Sequence, residues 1–241
     1  MKKSTMAMTL GLALGLGMIG ESKAEERAWD WSPFGIGLAA PIQLPFTQSD
    51  VYGLRLGGFF GYERNVYGLD CGLAEVCSGD FVGLQLSAFS WTEGDVYGVQ
   101  FGALANVVDG QANALQVGCV NTVWGDAVGG QLGLVNYTTD FCGVQVGGVI
   151  NWNVMTSSGL QVGLVNANQG GFAGWAIGGV VNYADSFSGF GCGLVNVAYE
   201  VTGCQLGLVN ACDRMHGVQF GLLNLICNSK LPIMAIVNAA F

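Results

Sequence analysis

The chain has 241 residues, of which 51% are hydrophobic and only 10% are charged, with 40 glycines and a net charge of −9 at pH 7. The apolar content excludes intrinsic disorder, and the charged fraction is far below the ~25% of an average soluble domain. Because phosphate contacts need clustered lysine and arginine, this acidic chain with eight basic residues is not expected to bind nucleic acid.

Residues 1–24 have the pattern of a secretory signal peptide. Two lysines precede an apolar stretch at 7–19, and Ser22 and Ala24 place small residues at the −3 and −1 positions of a cleavage site. The apolar stretch is shorter than the ~20 residues that a membrane-spanning helix needs. We therefore expect the protein to be exported.

Residues 25–50 precede a block of repeats, and residues 232–241 follow it. We expect an N-terminal cap segment at 25–50 and a C-terminal capping repeat at 232–241. The prolines all lie outside residues 46–231, at Pro33, Pro41, Pro45 and Pro232. Proline cannot donate a hydrogen bond to a neighbouring strand, so it is typical of the free edges that such caps provide.

Residues 51–231 consist of tandem units of about 15 residues, and the clearest copy is Gly-Leu-Gln-Val-Gly-Leu-Val-Asn at 159–166. The glutamine recurs at Gln85, Gln100, Gln116, Gln131, Gln145, Gln161, Gln205 and Gln219, and Arg55, Asp70, Ala176 and Gly191 fill its place in the other copies. The asparagine recurs at Asn106, Asn121, Asn136, Asn151, Asn166, Asn182, Asn196, Asn210, Asn224 and Asn238. So short a period indicates one small structural unit repeated many times.

Each unit has the pattern of a β-strand followed by a turn. Around one copy, Val218, Phe220 and Leu222 alternate with glycines and Gln219, and a period of two is typical of a strand. We expect this apolar face to point into the core and the Gly-Gln-Gly face to lie outermost. The apolar residue two before each motif glycine and the small residue two after each asparagine should complete the core.

Charged residues gather between the motifs, where turns are expected. They include Glu63, Arg64, Asp80, Glu93, Asp95, Asp109, Asp126, Asp140, Asp185, Glu200, Asp213 and Arg214. The acids at 80, 93, 95 and 109 could align on successive units as an acidic edge. Such an edge either hydrates the surface or holds Ca²⁺ through carboxylate oxygens, and we favour the first role.

Aromatic residues recur at two further positions of the unit. Tyr52, Tyr67 and Tyr97 share one position, and Tyr137, Trp152 and Tyr183 lie near another. We expect two aromatic stripes on the outside of the protein. They could mark a contact surface, seal the corners of the units, or form the interfacial girdle of a barrel.

Two architectures accept this pattern. In a β-solenoid of about 12 coils, neighbouring units run parallel and equivalent residues stack about 4.8 Å apart. In an outer-membrane barrel of 12–14 antiparallel strands, the apolar face meets lipid. The single 15-residue period favours the solenoid, because barrel strands alternate between two membrane faces. Stacked glutamines and asparagines would also form side-chain amide ladders. We therefore predict an all-β repeat protein, a β-solenoid, with the barrel as the alternative.

The eight cysteines and the single histidine, His216, do not have the spacing of a metal site. Cys212 and Cys227 lie 15 residues apart and could form a disulfide between consecutive coils, since a disulfide needs Cα atoms about 4.4–6.8 Å apart. We predict no catalytic residue, no cofactor and no metal.

The repeated Gly-x-Gln-x-Gly-Leu-Val-Asn motif, with Asn-x-Ala-x-x-apolar-x-Gly between copies (182–189), resembles the bacterial exported "surface repeat" proteins. The similarity covers residues 51–241. It implies a location at the cell surface or outer membrane of a Gram-negative-type bacterium, and it implies no catalytic residue.

We therefore expect a non-enzymatic, exported envelope or surface protein with a structural or adhesive role, binding an unknown surface or envelope component. An integral outer-membrane barrel that acts as a pore is the alternative. A secreted carbohydrate-active β-helix is a third interpretation, which would need catalytic carboxylates gathered on one coil face.

Overall fold

The computed structural model describes residues 31–39, 42–44 and 49–241. The predicted signal peptide lies outside the described residues, as does part of the predicted N-terminal cap. Within the described ranges the chain forms strands and turns, and none of it is a helix that could cross a membrane.

The strands are β1 (Trp31–Ala39), β2 (Ile42–Leu44), β3 (Asp50–Glu63), β4 (Asn65–Cys71), β5 (Ala74–Cys77), β6 (Phe81–Thr92), β7 (Val96–Val108), β8 (Ala112–Asn153), β9 (Ser157–Cys192), β10 (Val195–Leu206), β11 (Val209–Ile226) and β12 (Ile233–Ala240). Strands β8 and β9 are 42 and 36 residues long, because ladder hydrogen bonding continues around the coil corners. From β6 to β12, each strand pairs with the next one along the chain.

Equivalent residues of consecutive units lie side by side on parallel strands. Gln85 pairs with Gln100, Gln100 with Gln116, and Gln145 with Gln161. Neighbouring strands of an up-and-down barrel are antiparallel, so the barrel interpretation is wrong. The structure is the predicted β-solenoid, with about 12 turns of about 15 residues.

The side of the strand that faces the interior is the opposite of the predicted one. Gln219 is fully buried, whereas Phe220 is 42% exposed and Leu222 is 72% exposed. The expectation assumed that apolar side chains form the core. Here the amides line the interior because each can bond its neighbours on the coils before and after it, which removes the cost of burying a polar group.

Two smaller columns supply the apolar part of the interior, as expected. The residues two before the motif glycine are buried, including Phe81, Val96, Phe141, Phe187, Val201 and Met215. Two positions after the asparagine, Ala184, Ala198 and Cys212 are also buried. Each coil therefore contributes one inward residue to each of four columns that run along the solenoid. One column is mostly apolar and contains Phe81, one contains the motif glutamines, one contains the motif asparagines, and one contains Ala184.

The motif glycine two residues before the glutamine has a stacking role. Gly143 has a φ of 143°, a backbone conformation that residues other than glycine rarely adopt. A Cβ atom at Gly143 would also lie 2.0 Å from the carbonyl oxygen of Gly129 on the preceding coil. The close approach of coils at this corner therefore depends on the absence of a side chain.

Both ends of the solenoid carry strands that depart from the repeat. Strand β1 pairs in parallel with β3, and β2 folds back on β1 in the antiparallel direction. At the other end β12 is antiparallel to β11 and places Asn238 opposite Gln219. Asn238 therefore does not continue the asparagine column, and its Nδ2 donates instead to the carbonyl of Leu231 at 3.5 Å.

Candidate functional site

The glutamine column forms a side-chain ladder through the interior. The Nε2 of Gln100 donates to Oε1 of Gln85 at 2.9 Å, and the same bond recurs between Gln116 and Gln100. This ladder connects Gln85, Gln100, Gln116, Gln131, Gln145 and Gln161. Ala176 and Gly191 interrupt it, and Gln219 then donates to Gln205 at 3.0 Å.

The asparagine column forms a second ladder that runs without interruption from Asn106 to Asn224. The Nδ2 of Asn106 donates to Oδ1 of Asn121 at 2.9 Å and also to the carbonyl of Val117 at 3.1 Å. Its donors point to the following coil, whereas the glutamine donors point to the preceding coil. The dipoles of the two ladders therefore oppose each other across the interior.

Two further asparagines, which the sequence interpretation missed, join the glutamine ladder from the fourth column. Asn153 exchanges hydrogen bonds with Gln145 at 2.9 and 3.1 Å, and Asn168 does so with Gln161 at 3.0 and 3.1 Å. The available signal was the Asn-x-Asn spacing at 151–153 and 166–168. Side chains two apart on a strand share a face, so the second asparagine had to face inward with the first.

An ionic cluster replaces the amides in the first two coils. Arg55 and Asp70 occupy the glutamine position and are buried, as are Glu63 and Glu75. The Nη1 of Arg55 donates to both oxygens of Asp70, at 3.0 and 3.1 Å. The guanidinium also forms ion pairs with Glu75 and, at 3.6 Å, with Glu63.

The local sequence explains why a guanidinium fits there. Gly61 pairs with Glu75, so it lies in the column that later coils fill with asparagine. A Cβ atom at Gly61 would fall within 2.6 Å of the Arg55 guanidinium carbon. The missing side chain therefore provides the space that Arg55 occupies. The glutamine ladder ends at the same cluster, where Nε2 of Gln85 donates to Oδ2 of Asp70 at 3.0 Å.

The cluster has three carboxyl groups around one guanidinium, so it holds protons at neutral pH. Burial raises the pKa of Glu63 to about 8, and burial with the nearby Asp70 raises the pKa of Glu75 to about 7, although Arg55 opposes both shifts. Burial also raises the pKa of Asp70. Oε2 of Glu63 and Oε1 of Glu75 accept no hydrogen bond, which favours protonation of both glutamates.

Glu63 was predicted to lie in a turn, and that prediction is wrong. Glu63 pairs with Cys77 in the ladder and points inward, where its Oε1 accepts a hydrogen bond from Gln43 at 2.8 Å. Glu75 was overlooked, although counting five residues from Asp70 places it in the asparagine column. No group of three or more histidine, cysteine, aspartate or glutamate residues could hold a metal ion in the described part of the chain.

Of the four acids predicted to form an acidic edge, Asp80 and Asp95 align and cap the backbone, whereas Gln111 and not Asp109 occupies their position on the next coil. Oδ1 of Asp80 accepts the N–H of Asp95 at 2.9 Å, and Oδ1 of Asp95 accepts the N–H of Gln111 at 2.8 Å. Each carboxylate thus satisfies a turn N–H of the next coil. This arrangement stabilises the turns and keeps one corner of the coil charged.

The outside of the coils carries a surface that we name the apolar flank. It consists of two stripes, which follow the glutamine position by one residue and by three. The first stripe includes Leu56, Leu86, Phe101, Leu132, Val146, Ile177, Leu206 and Phe220, and the second includes Leu73, Leu134, Leu164, Leu194, Leu208 and Leu222, all exposed. A shallow groove of about 690 Å³ runs between the stripes, with Gly118 and Gly133 among the residues that line it.

Aromatic side chains lie at both borders of the apolar flank on some of the coils, and the flank contains no charge. Tyr52 and Tyr97 are exposed along one border, and Trp152 and Tyr183 along the other. The rings of Tyr52 and Tyr67 stack with centroids 4.7 Å apart. In the described part of the chain, the charged side chains outside the interior cluster lie beyond these borders, in the turns and in the loop before β12. Most coils are therefore apolar on one side and charged on the other, while the coils within residues 141–184 have uncharged turns.

The proposed disulfide between Cys212 and Cys227 is absent, and both thiols are free. The repeat is 14 residues long in this region, since Asn210 bonds Asn224, so Cys212 is equivalent to Ile226 and not to Cys227. A shift of one residue turns a side chain to the other face of the sheet. Cys212 is accordingly buried, where its Sγ accepts a hydrogen bond from Gln219 at 3.3 Å, while Cys227 is exposed.

A scan of protein-family models found no match to the chain, and searches of curated proteins and of solved structures found no similar protein.

Proposed function

We propose that this protein is a non-enzymatic, exported envelope protein, in which the solenoid is a rigid scaffold that presents the apolar flank to a surface or envelope component. The observation that carries the proposal is the flank itself. It repeats along the coils without a charged residue, and exposed apolar surface of that extent is typical of contact surfaces.

The interior supports a structural role. The two amide ladders fill it, and the cavity beside Ala176 and Gly191 measures only about 10 Å³, room for about one water molecule. The buried carboxyl groups surround Arg55, where a polysaccharide could not reach them. The signal-peptide pattern at 1–24 and the resemblance to surface repeat proteins support export to the envelope.

Lys230 provides a test of this location. It is exposed and is the only lysine after residue 23. A membrane-impermeant amine reagent applied to intact cells should modify Lys230, which peptide mass spectrometry would detect as a missed tryptic cleavage after residue 230. The Lys230→Arg variant should lose this modification. Labelling only after cell lysis would contradict surface presentation.

A further inference from the structure

The apolar flank extends past the repeats onto both terminal strands. Ile36 of β1 pairs with Leu56 and lengthens the first stripe at the N-terminal end, and Phe34 pairs with Leu54 beside that stripe. Val237 of β12 pairs with Phe220 and lengthens it at the other end. All three terminal side chains are exposed. The flank is therefore one continuous uncharged surface along the described solenoid, mostly aliphatic and aromatic, with Cys71, Cys119 and Cys192 at single positions.

The backbone beneath this surface is hydrogen-bonded between coils, and such bonds continue across breaks in the strands, for example from the N–H of Leu208 to the carbonyl of Leu194 at 2.9 Å. In the parallel ladders each coil exchanges N–H···O bonds with both neighbours: Gly72 donates to the carbonyl of Leu86 on the following coil, and Leu73 donates to that of Gly58 on the preceding coil. In the sheet that the described residues form, the outermost strands are β2 and β12, at its two ends. A surface of this kind can enter hydrocarbon, where an unsatisfied backbone group would be costly.

The aromatic borders indicate which apolar partner fits. Tyrosine and tryptophan favour the level of lipid headgroups, because their rings are apolar while the hydroxyl or indole N–H can bond water. Tyr52, Tyr67 and Tyr97 lie on one side of the flank, and Tyr137, Trp152 and Tyr183 lie on the other. The charged turns follow beyond both borders. The order apolar, aromatic, charged is that of a protein partly embedded in a membrane surface.

From these observations we propose that the apolar flank inserts into the acyl-chain region of one lipid leaflet, with the turns on the opposite side of the coils, most of them charged, in water. This proposal rests on the proposed envelope role and names the partner of the flank. The net charge of −9 adds a selectivity: anionic headgroups repel the acidic turns, so zwitterionic phosphatidylcholine should bind better than mixtures rich in phosphatidylserine.

Leu164 and Gln169 provide a matched pair of variants on one coil. Leu164 is exposed on the apolar flank, and Gln169 is exposed in the turn, at the position that Asp185 occupies on the next coil. Leu164→Asp introduces a charge into the acyl-chain region, whereas Gln169→Asp adds the same charge on the aqueous side. Residues 1–24 are identical in both variants, so a difference between them does not depend on that segment.

The test is flotation of the full chain with phosphatidylcholine vesicles whose acyl chains carry bromine, combined with tryptophan fluorescence. Trp175, which is 62% exposed and lies just before the glutamine position, should be quenched by the brominated chains, and Trp175→Phe should remove most of that quenching. Gln169→Asp should float like the wild type. Leu164→Asp should partition at least tenfold less, with an unchanged β circular-dichroism spectrum.

Three results would overturn insertion. The wild type could stay with the lipid-free fraction with unquenched fluorescence, or the two variants could float equally. Alternatively, sedimentation in lipid-free buffer could show a stable oligomer that does not float, in which case a second copy covers the flank. If Leu164→Asp does not fold, the quenching of Trp175 in the wild type still shows whether the flank inserts into the acyl chains. Surface labelling of Lys230 is independent of these results, so insertion can fail while the scaffold role stands.

Discussion

At the scale of single residues, the unusual feature is that amides hold the interior and leucines lie outside. Gln131 receives a hydrogen bond from Gln145 and donates one to Gln116, both at 2.9 Å, and is 2% exposed. Its neighbour Leu132 is 40% exposed. Truncating a leucine usually lowers the free energy of unfolding more than truncating a glutamine does. At this pair of residues we expect the opposite order.

We expect Gln131→Ala to lower the free energy of unfolding by about 2–4 kcal/mol, because it leaves a buried donor and a buried acceptor unpaired and opens a cavity. Leu132→Ala should cost less than about 1 kcal/mol. Equilibrium urea unfolding measures both values. If Leu132→Ala lowered the free energy of unfolding more than Gln131→Ala did, the leucine face and not the glutamine face of the strand would point into the interior.

Gly143 and Gly171 form a second matched pair. A Cβ atom at Gly143 would meet the Gly129 carbonyl oxygen at 2.0 Å, whereas a Cβ atom at Gly171 would meet nothing within 4 Å. Gly143→Ala should destabilise the protein by about 3 kcal/mol or more, from the clash and the positive φ. Gly171→Ala should change stability by less than about 1 kcal/mol in thermal unfolding. Equal melting temperatures for the two variants would refute the close stacking at this corner.

At the scale of elements, the first coils differ from the rest because β3 to β5 enclose charges. The folded pKa values of Glu63, about 8, and Glu75, about 7, exceed the ~4.3 of an unfolded glutamate. The folded state therefore binds protons more tightly than the unfolded state. Its stability is greatest below the unfolded value and falls as pH rises through the folded values.

We expect the free energy of unfolding to decrease between about pH 5 and pH 8, by a few kcal/mol. Glu63→Gln keeps the shape of the neutral acid and should flatten this dependence. Asp126→Asn, which changes an exposed acid, should leave it intact. Urea unfolding at a series of pH values makes the comparison. Stability that rises over this range would show that the glutamates are ionised in the folded protein.

The strands and their parallel stacking could be predicted from the sequence because the 15-residue period recurs at so many positions. The inward face could not be, because Gln219 and Phe220 alternate with a period of two whichever face is buried. The choice rested on the rule that apolar residues are inside, and in-register amides overrule it here. The ionic cluster was missed because Glu63 precedes Arg64, a pair that is typical of a turn. The position of Cys227 was misjudged because the local period is 14.

At the scale of the whole molecule, the solenoid combines a mostly polar, hydrogen-bonded interior with an apolar flank on the outside. This arrangement reverses the usual distribution of hydrophobic residues in a soluble protein, and both the scaffold proposal and the leaflet proposal depend on it. Phe220 and Trp175 are exposed, whereas Phe172 and Met215 are buried in the apolar column. These four side chains therefore report directly on which residues face outward.

Hydroxyl-radical footprinting of the dilute protein in lipid-free buffer tests which side chains face outward. Oxidation of each side chain is measured by mass spectrometry and normalised to the urea-unfolded chain. We expect strong oxidation at Phe220 and Trp175 and protection at Phe172 and Met215. Protection of Phe220 and Trp175 to the level of Phe172 would contradict an apolar exterior, and with it the apolar flank.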